Sequence, residues 1–274
     1  MMGSSHALSG AAVWLAGSLA LEHFAGYHQG PLQIAVGTAI CAGGALLPDM
    51  DLSGRVTTNR GGATVARTFG IVSLFAAEVV EKVSLGVYRM TRWRADPKRS
   101  YGHRTLTHTL IFNVGIGWLT TMLCAAYGRW AVLGVLFVCF GMALRGLFDD
   151  WAQRAGWVVI TGTSAIAAIE AYRYLPADRG YPMLGLAVGV GGLVHVLGDM
   201  ITKHGCPVLW PIPIGRRLWY CVGLPPGLSI KAGGTVERVF LRSVFTLVAL
   251  GAALALVGGD LIRHWDALRL YAGR

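Results

Sequence analysis

The sequence predicts an all-α polytopic integral membrane helix bundle, with about seven crossings and an amphipathic helix at the membrane interface. Composition is the first observation: 54% of the 274 residues are hydrophobic, and mean hydropathy is +0.53. Charge is the second, because only 14% of residues are charged against about 25% in a soluble globular domain. The third is continuity, since the apolar residues fall in runs of about 17–25, the length a helix needs to cross a bilayer. Lipid offers no partner to an exposed backbone group, so an open chain crosses it as helices. Residues 1–274 are read as a single membrane-embedded domain.

Taken in order, the crossings are expected near 7–22, 31–47, 105–127, 129–147, 156–172, 183–201 and 240–262. The first and fifth are shorter and more polar than the others. The start "MMGSSHALSG" lacks the basic stretch of a signal peptide, so the first helix is expected to stay. Residues 62–90 have a different pattern. Phe69, Val72, Ala76, Val79, Val83 and Val87 recur at three- and four-residue spacing, with Arg67, Glu78, Glu81 and Lys82 between them. That is an amphipathic helix suited to lie in the interface rather than to span. In the sixth crossing, "GLAVGVGG" permits close helix approach. The five cysteines form no CxxC pair, and Cys41, Cys124 and Cys139 lie in apolar runs. Neither a disulfide framework nor a cysteine zinc site is expected.

A net charge of +10 would suggest nucleic acid in a soluble protein. Here no organised basic domain exists, and the basic residues sit in loops beside the crossings, so no nucleic-acid partner is expected. Threading the crossings places 18 of the 24 Lys and Arg on the side that holds His6, and six on the other. Basic loops stay inside, which makes that side cytoplasmic and the chain a multi-pass inner-membrane protein.

The same threading brings the unusual polar residues to that one side. His6 opens the first helix, and "LPDMD" supplies Asp49 and Asp51. "GHRTLTH" supplies His103, Arg104 and His108, "HVLGD" supplies His195 and Asp199, and Glu237 precedes the last crossing. His195 and Asp199 are four apart, so a helix stacks them on one face. Neutral imidazole and carboxylate in this number suit one or two divalent ions. Each feature also has a plainer explanation. The 195/199 pair would serve as a buried polar contact, the aspartates as a solvated turn, and Arg104 as a head-group anchor or ion-pair partner. Thr105 or Thr107 would cap the following helix, and an Arg145–Asp149 pair accounts for Asp149 and Asp150. Ionisable residues at membrane depth are costly, which favours a functional reading of the whole set.

"LPDMD", "HRTLTH" and "HVLGDMITKHG", with the early His6 and late Glu237, resemble the YdjM-type membrane-bound metal-dependent hydrolase family over nearly the whole chain. "THT" stands where that family has "THS", and the segment between "LPDMD" and "HRTLTH" is long. A remoter similarity is to zinc-dependent phospholipases C and related nucleases, through HxxxD and clustered histidines. The family resemblance implies hydrolase activity. The expected ligands are Asp49, Asp51, His108, His195 and Asp199, then His6, His103 and Glu237, around zinc, with manganese or iron as alternatives. His103, Glu237 and Arg104 are the expected catalytic residues. Arg104 is permanently charged, so its role would be to clamp a phosphoryl oxygen. A site at the interface beside basic loops points to a membrane lipid as substrate, a phosphoester above all. Two rival readings remain: a metal or proton transporter with a His/Asp path, and a catalytically inactive metal-binding regulator. The sequence gives no oligomeric state.

Overall fold

The protein is described here by a computed structural model covering residues 1–52, 63–175 and 177–272. Its described residues form helices and loops, with isolated β-bridges and no strand. In chain order the helices are α1 (Gly3–Ala25), α2 (Pro31–Gly44), α3 (Ala63–Ala66), α4 (Ile71–Thr91), α5 (Leu110–Tyr127), α6 (Arg129–Leu147), α7 (Asp149–Tyr174), α8 (Ala177–Met200) and α9 (Arg242–Ala272). Short turns of 3-10 helix hold Leu47–Asp51 and Leu106–His108, and a π-helical segment, Val236–Leu241, leads into α9.

Among the described residues, six segments are long and apolar enough to cross a membrane: Pro31–Asp51, Leu110–Tyr127, Arg129–Leu147, Asp149–Tyr174, Pro182–Met200 and Val236–Gly259. The expected first crossing lies in α1. That helix has the length, 23 residues, but Ser4, Ser5, His6, Ser9 and Ser18 keep it out of the apolar set. The fifth crossing is also modified, because Gly156 leaves helical geometry (φ 78°, ψ 169°) and breaks α7 seven residues after its start.

Burial separates centre from rim. The spans that contain α2 and α8 are each 61% buried, whereas that of α9 is 11% buried. Large apolar side chains such as Trp118, Leu247 and Leu254 point outward, as expected where lipid is the solvent. Attraction between helices in lipid comes from close packing, so small residues mark the seams. A Cβ on Gly43 of α2 would stand 2.1 Å from the Cys139 carbonyl of α6. One on Gly191 of α8 would stand 2.3 Å from the Cys41 carbonyl of α2. One on Gly117 of α5 would stand 2.8 Å from the Gly185 carbonyl of α8. The "GLAVGVGG" run is therefore where α8 meets both α2 and α5.

Two boundaries differ from the sequence reading. The amphipathic helix was expected over 62–90; residue 62 lies outside the described residues, and the long helix begins at Ile71. Gly70, at φ 62°, separates it from α3, and a Cβ there would meet the Trp157 ring at 2.8 Å. The stripe of Val72, Val79 and Val83 is exposed, along with Ile71 and Phe75, while Ser73, Ala77, Ser84 and Tyr88 form the buried face. α4 thus offers small and polar groups to the protein and apolar ones to the surroundings. The third crossing begins at Leu110 rather than 105. Thr109 is the capping residue, its side chain accepting from Phe112 N at 3.2 Å. Thr105 and Thr107 bond elsewhere, to Gly102 O and to Asp51.

The Gly43–Cys139 approach is directly testable. Gly43→Ala should destabilise the protein by about 1–3 kcal/mol through overpacking against backbone. Gly134→Ala, where a Cβ meets open space, should change stability by less than about 1 kcal/mol, in the stabilising direction. Thermal denaturation of both variants in detergent reads the difference.

Candidate metal centre

The ends of four separate elements meet in one place. α1 brings His6, the turn after α2 brings Asp49 and Asp51, the loop before α5 brings His103, Arg104 and His108, and α8 brings His195 and Asp199. His6, Asp51, His108 and His195 are fully buried, Asp199 is nearly so, and Asp49 is 8% exposed. Asp49, Asp51, His103 and His108 can hold an ion between them, as can His6, His195 and Asp199.

Hydrogen bonds around the rim fix which ring nitrogens face inward. His195 Nδ1 lies 2.7 Å from the Ala45 carbonyl, which only accepts, so Nδ1 carries the proton and Nε2 keeps its lone pair. Thr107 Oγ1 donates to Asp51 Oδ2 at 2.6 Å, so it accepts from His108 Nδ1 at 2.9 Å. His108 Nε2 then also keeps its lone pair. These two nitrogens face each other at 3.2 Å with no proton assigned between them. Asp49 Oδ1 lies 3.8 Å from His108 Nε2 and 3.6 Å from His195 Nε2. Asp199 Oδ2 lies 3.7 Å and 3.9 Å from the same two atoms.

The four acceptor atoms, from three elements, thus bridge the two groups, with His108 Nε2 and His195 Nε2 each near both carboxylates. Ligands bonded at about 2.0–2.2 Å to a tetrahedral ion sit about 3.3–3.6 Å from one another, close to the 3.2–3.9 Å found here. Mutually repelling lone pairs held this close in a buried site call for a cation among them. His6 makes the same demand. Its ring stacks on His195 at 3.7 Å, and both of its nitrogens are buried without a hydrogen bond, although Nε2 lies 3.3 Å from Asp199 Oδ1. Stacking two buried rings this closely suits neutral imidazoles, the form that binds metal.

Asp51 has a different place. Its oxygens are taken by His103 Nδ1 (2.8 Å), Thr107 Oγ1 and the Arg104 amide (3.2 Å), so it orients its neighbours from behind. Burial works against a charged His103 ring, and the Asp51 carboxylate overcomes this, so its pKa is raised. Arg104 pairs with Asp199 Oδ2 at 2.8 Å and donates to Thr202 Oγ1 and the Gly205 carbonyl. It is the described non-glycine residue with left-handed backbone, φ 57°, a strain typical of functional sites. The Met1 nitrogen also meets Asp199, through Oδ1.

Glu237 does not join either group. Fully buried, it accepts from Met2 N at 2.6 Å and Gly233 N at 2.7 Å, and so fixes the start of α1. The expected ligand role is replaced by an anchoring one, since α1 has no side-chain cap of its own. His204 is exposed in the loop after α8. The expected Arg145–Asp149 pair is replaced by a bond from Arg145 to the Ala152 carbonyl, with Asp149 accepting from Gln153.

Sequence reading missed a supporting set. Arg99 donates to the carbonyls of His103 (3.0 Å) and Arg104 (3.2 Å) and lies over the Tyr88 ring. Asn113 donates to the carbonyls of Thr107 and Thr109; a lone amide in the apolar run "LIFNVGIG" was a legible signal. Asp96 binds the backbone amides of Trp93, Leu218 and Trp219, tying the loop before α5 to the loop after α8.

Asp199→Asn should abolish a near-stoichiometric metal content, read by elemental analysis of purified protein beside the wild type. Arg99→Ala, which removes the one nitrogen that donates to both carbonyls, should weaken metal affinity by about 10–100-fold, measured by competition with a chelator. A family model described as YdjM inner membrane protein matches residues 1–265, and the chain belongs to that family. No curated protein and no solved structure matches it.

Proposed function

We propose that this member of the YdjM family is a metal-dependent hydrolase acting at the cytoplasmic face on a phosphoester of a membrane lipid. The observation that carries this is the set of four converging acceptors, Asp49 Oδ1, His108 Nε2, His195 Nε2 and Asp199 Oδ2, at one end of the bundle. His6 stands beside them, its Nε2 3.3 Å from Asp199 Oδ1. Zinc fits the ligand set, and manganese or iron would use the same side chains. A divalent ion held there supplies an activated water and a Lewis acid.

The chain's own residues supply the rest. Arg104 has five N–H donors, and three contacts are accounted for at Asp199, Thr202 and Gly205. What remains is directed at a phosphoryl oxygen. His103 is partly exposed at the rim with its Nδ1 2.8 Å from Asp51, which favours the protonated ring, so it is the group placed to give a proton to the departing oxygen. Exposed Lys203, Arg216 and Arg217 in the loop after α8 attract an anionic head group. The apolar outer face of α4 keeps the site at the depth of the head groups. Supporting hydrolysis over transport is the position of the ionisable groups. They gather at helix ends on one side, whereas a translocation path needs them across the midplane.

The test is release of phosphate or head group from phospholipid vesicles by the zinc- or manganese-loaded protein. Asp49→Asn and His108→Ala should each lower turnover by at least about 100-fold, and Arg104→Lys by about 10–100-fold. A protein that retains its metal and hydrolyses no lipid phosphoester would instead be the inactive metal-binding regulator.

A further inference from the structure

A second feature lies at the end of the bundle away from the metal centre. α1 and α8 enclose a cavity of about 670 Å³ there, in the range that holds a small-molecule ligand. α1 contributes Val13, Gly17 and Leu21 at four-residue spacing, and α8 contributes Met183, Leu186 and Val190. The cavity is therefore an elongated apolar slot along the helix axes. α1 extends about 28 Å beyond His6, at 1.5 Å per residue, which carries the far end of the slot towards the opposite membrane surface. Val13, Leu21 and Leu186 remain 41–57% exposed, so the slot is open along its outer side to the bilayer.

One polar group sets the slot apart from an ordinary lipid-facing crevice. Gln29, just before α2, lines its far end and is only 8% exposed. Its Oε1 has no hydrogen-bond partner. A buried acceptor without a donor is costly, so a donor belongs there. Neither Lys nor Arg is among the lining residues, so no cation there pairs with an anionic head group, although the buried Trp14 N–H, also without a partner, is free to meet a phosphate oxygen.

We infer that this slot binds a bilayer phospholipid whose head group donates hydrogen bonds, with its acyl chain along α1 and α8 and its ammonium at Gln29. Phosphatidylethanolamine has that chemistry, and phosphatidylcholine, with no N–H, lacks it. The site is independent of the metal centre and of any hydrolysis there.

The test uses full-length protein in vesicles of phosphatidylcholine and phosphatidylglycerol that carry a trace of diazirine-labelled phosphatidylethanolamine. Cross-links are mapped by peptide mass spectrometry. Labelling of α1 and α8 peptides should saturate, and unlabelled phosphatidylethanolamine should compete about tenfold better than phosphatidylcholine, the worth of roughly one hydrogen bond. Gln29→Leu should erase that preference, and Gln29→Glu, which keeps an acceptor, should retain it. Gly17→Phe, where added atoms meet open space, should remove labelling at these helices and leave it elsewhere, with an unchanged size-exclusion profile as the folding control. Labelling that never saturates, or a Gln29→Leu variant with the wild-type preference, overturns the proposal. So does protection of this face by a second copy of the chain.

Discussion

Asp199 is the charge that the rest of the molecule is arranged to tolerate. A carboxylate buried at the end of a membrane helix is costly unless cations or donors surround it. Here the Met1 nitrogen and Arg104 pair with it, His6 Nε2 lies 3.3 Å away, and the lone pairs of His108 and His195 face it at 3.7 and 3.9 Å. These groups come from three elements, so satisfying this one carboxylate fixes where α1, the loop before α5 and α8 must end. The close glycine seams between α2, α8 and α5 serve the same requirement, because the site's atoms meet only if those backbones nearly touch.

Most of the site was legible because its chemistry is local in sequence. His195 and Asp199 share a helix face, and "LPDMD" and "HRTLTH" each place several polar residues within one turn. Threading by hydropathy then sufficed to bring them to one end. What escaped is the work of backbone groups and long-range partners. Nothing in the residue pattern says that the Ala45 carbonyl fixes the His195 ring, or that Thr107 gives its proton to Asp51 and so turns His108 inward. The placing of Glu237 escaped for the same reason, since its partners are main-chain amides that carry no residue identity.

α4 illustrates a different limit. Its three- and four-residue period announces a two-faced helix, yet period alone does not say which face the protein takes. In water the apolar face would be the buried one. At a bilayer surface the rule reverses, and the protein keeps Ser73, Ala77, Ser84 and Tyr88 for itself. α1 is the complementary case. Its serines and His6 weaken the hydropathy signal, and Ser5, His6, Ser9 and Ser18 lie on the side of the helix that the protein buries.

The bond from Met2 to Glu237 joins residues 235 apart, and that separation bears on how the molecule is made. Helices enter the membrane in the order of synthesis, so α1 and the two aspartates after α2 arrive before their partners. Asp51 meets His103 and Thr107 before mid-chain, whereas His6 and Asp49 wait for Asp199 and His195 on α8. Only when α8 and the π-helical segment have been inserted does the pocket acquire its walls. The centre therefore closes only after nearly the whole chain has been made.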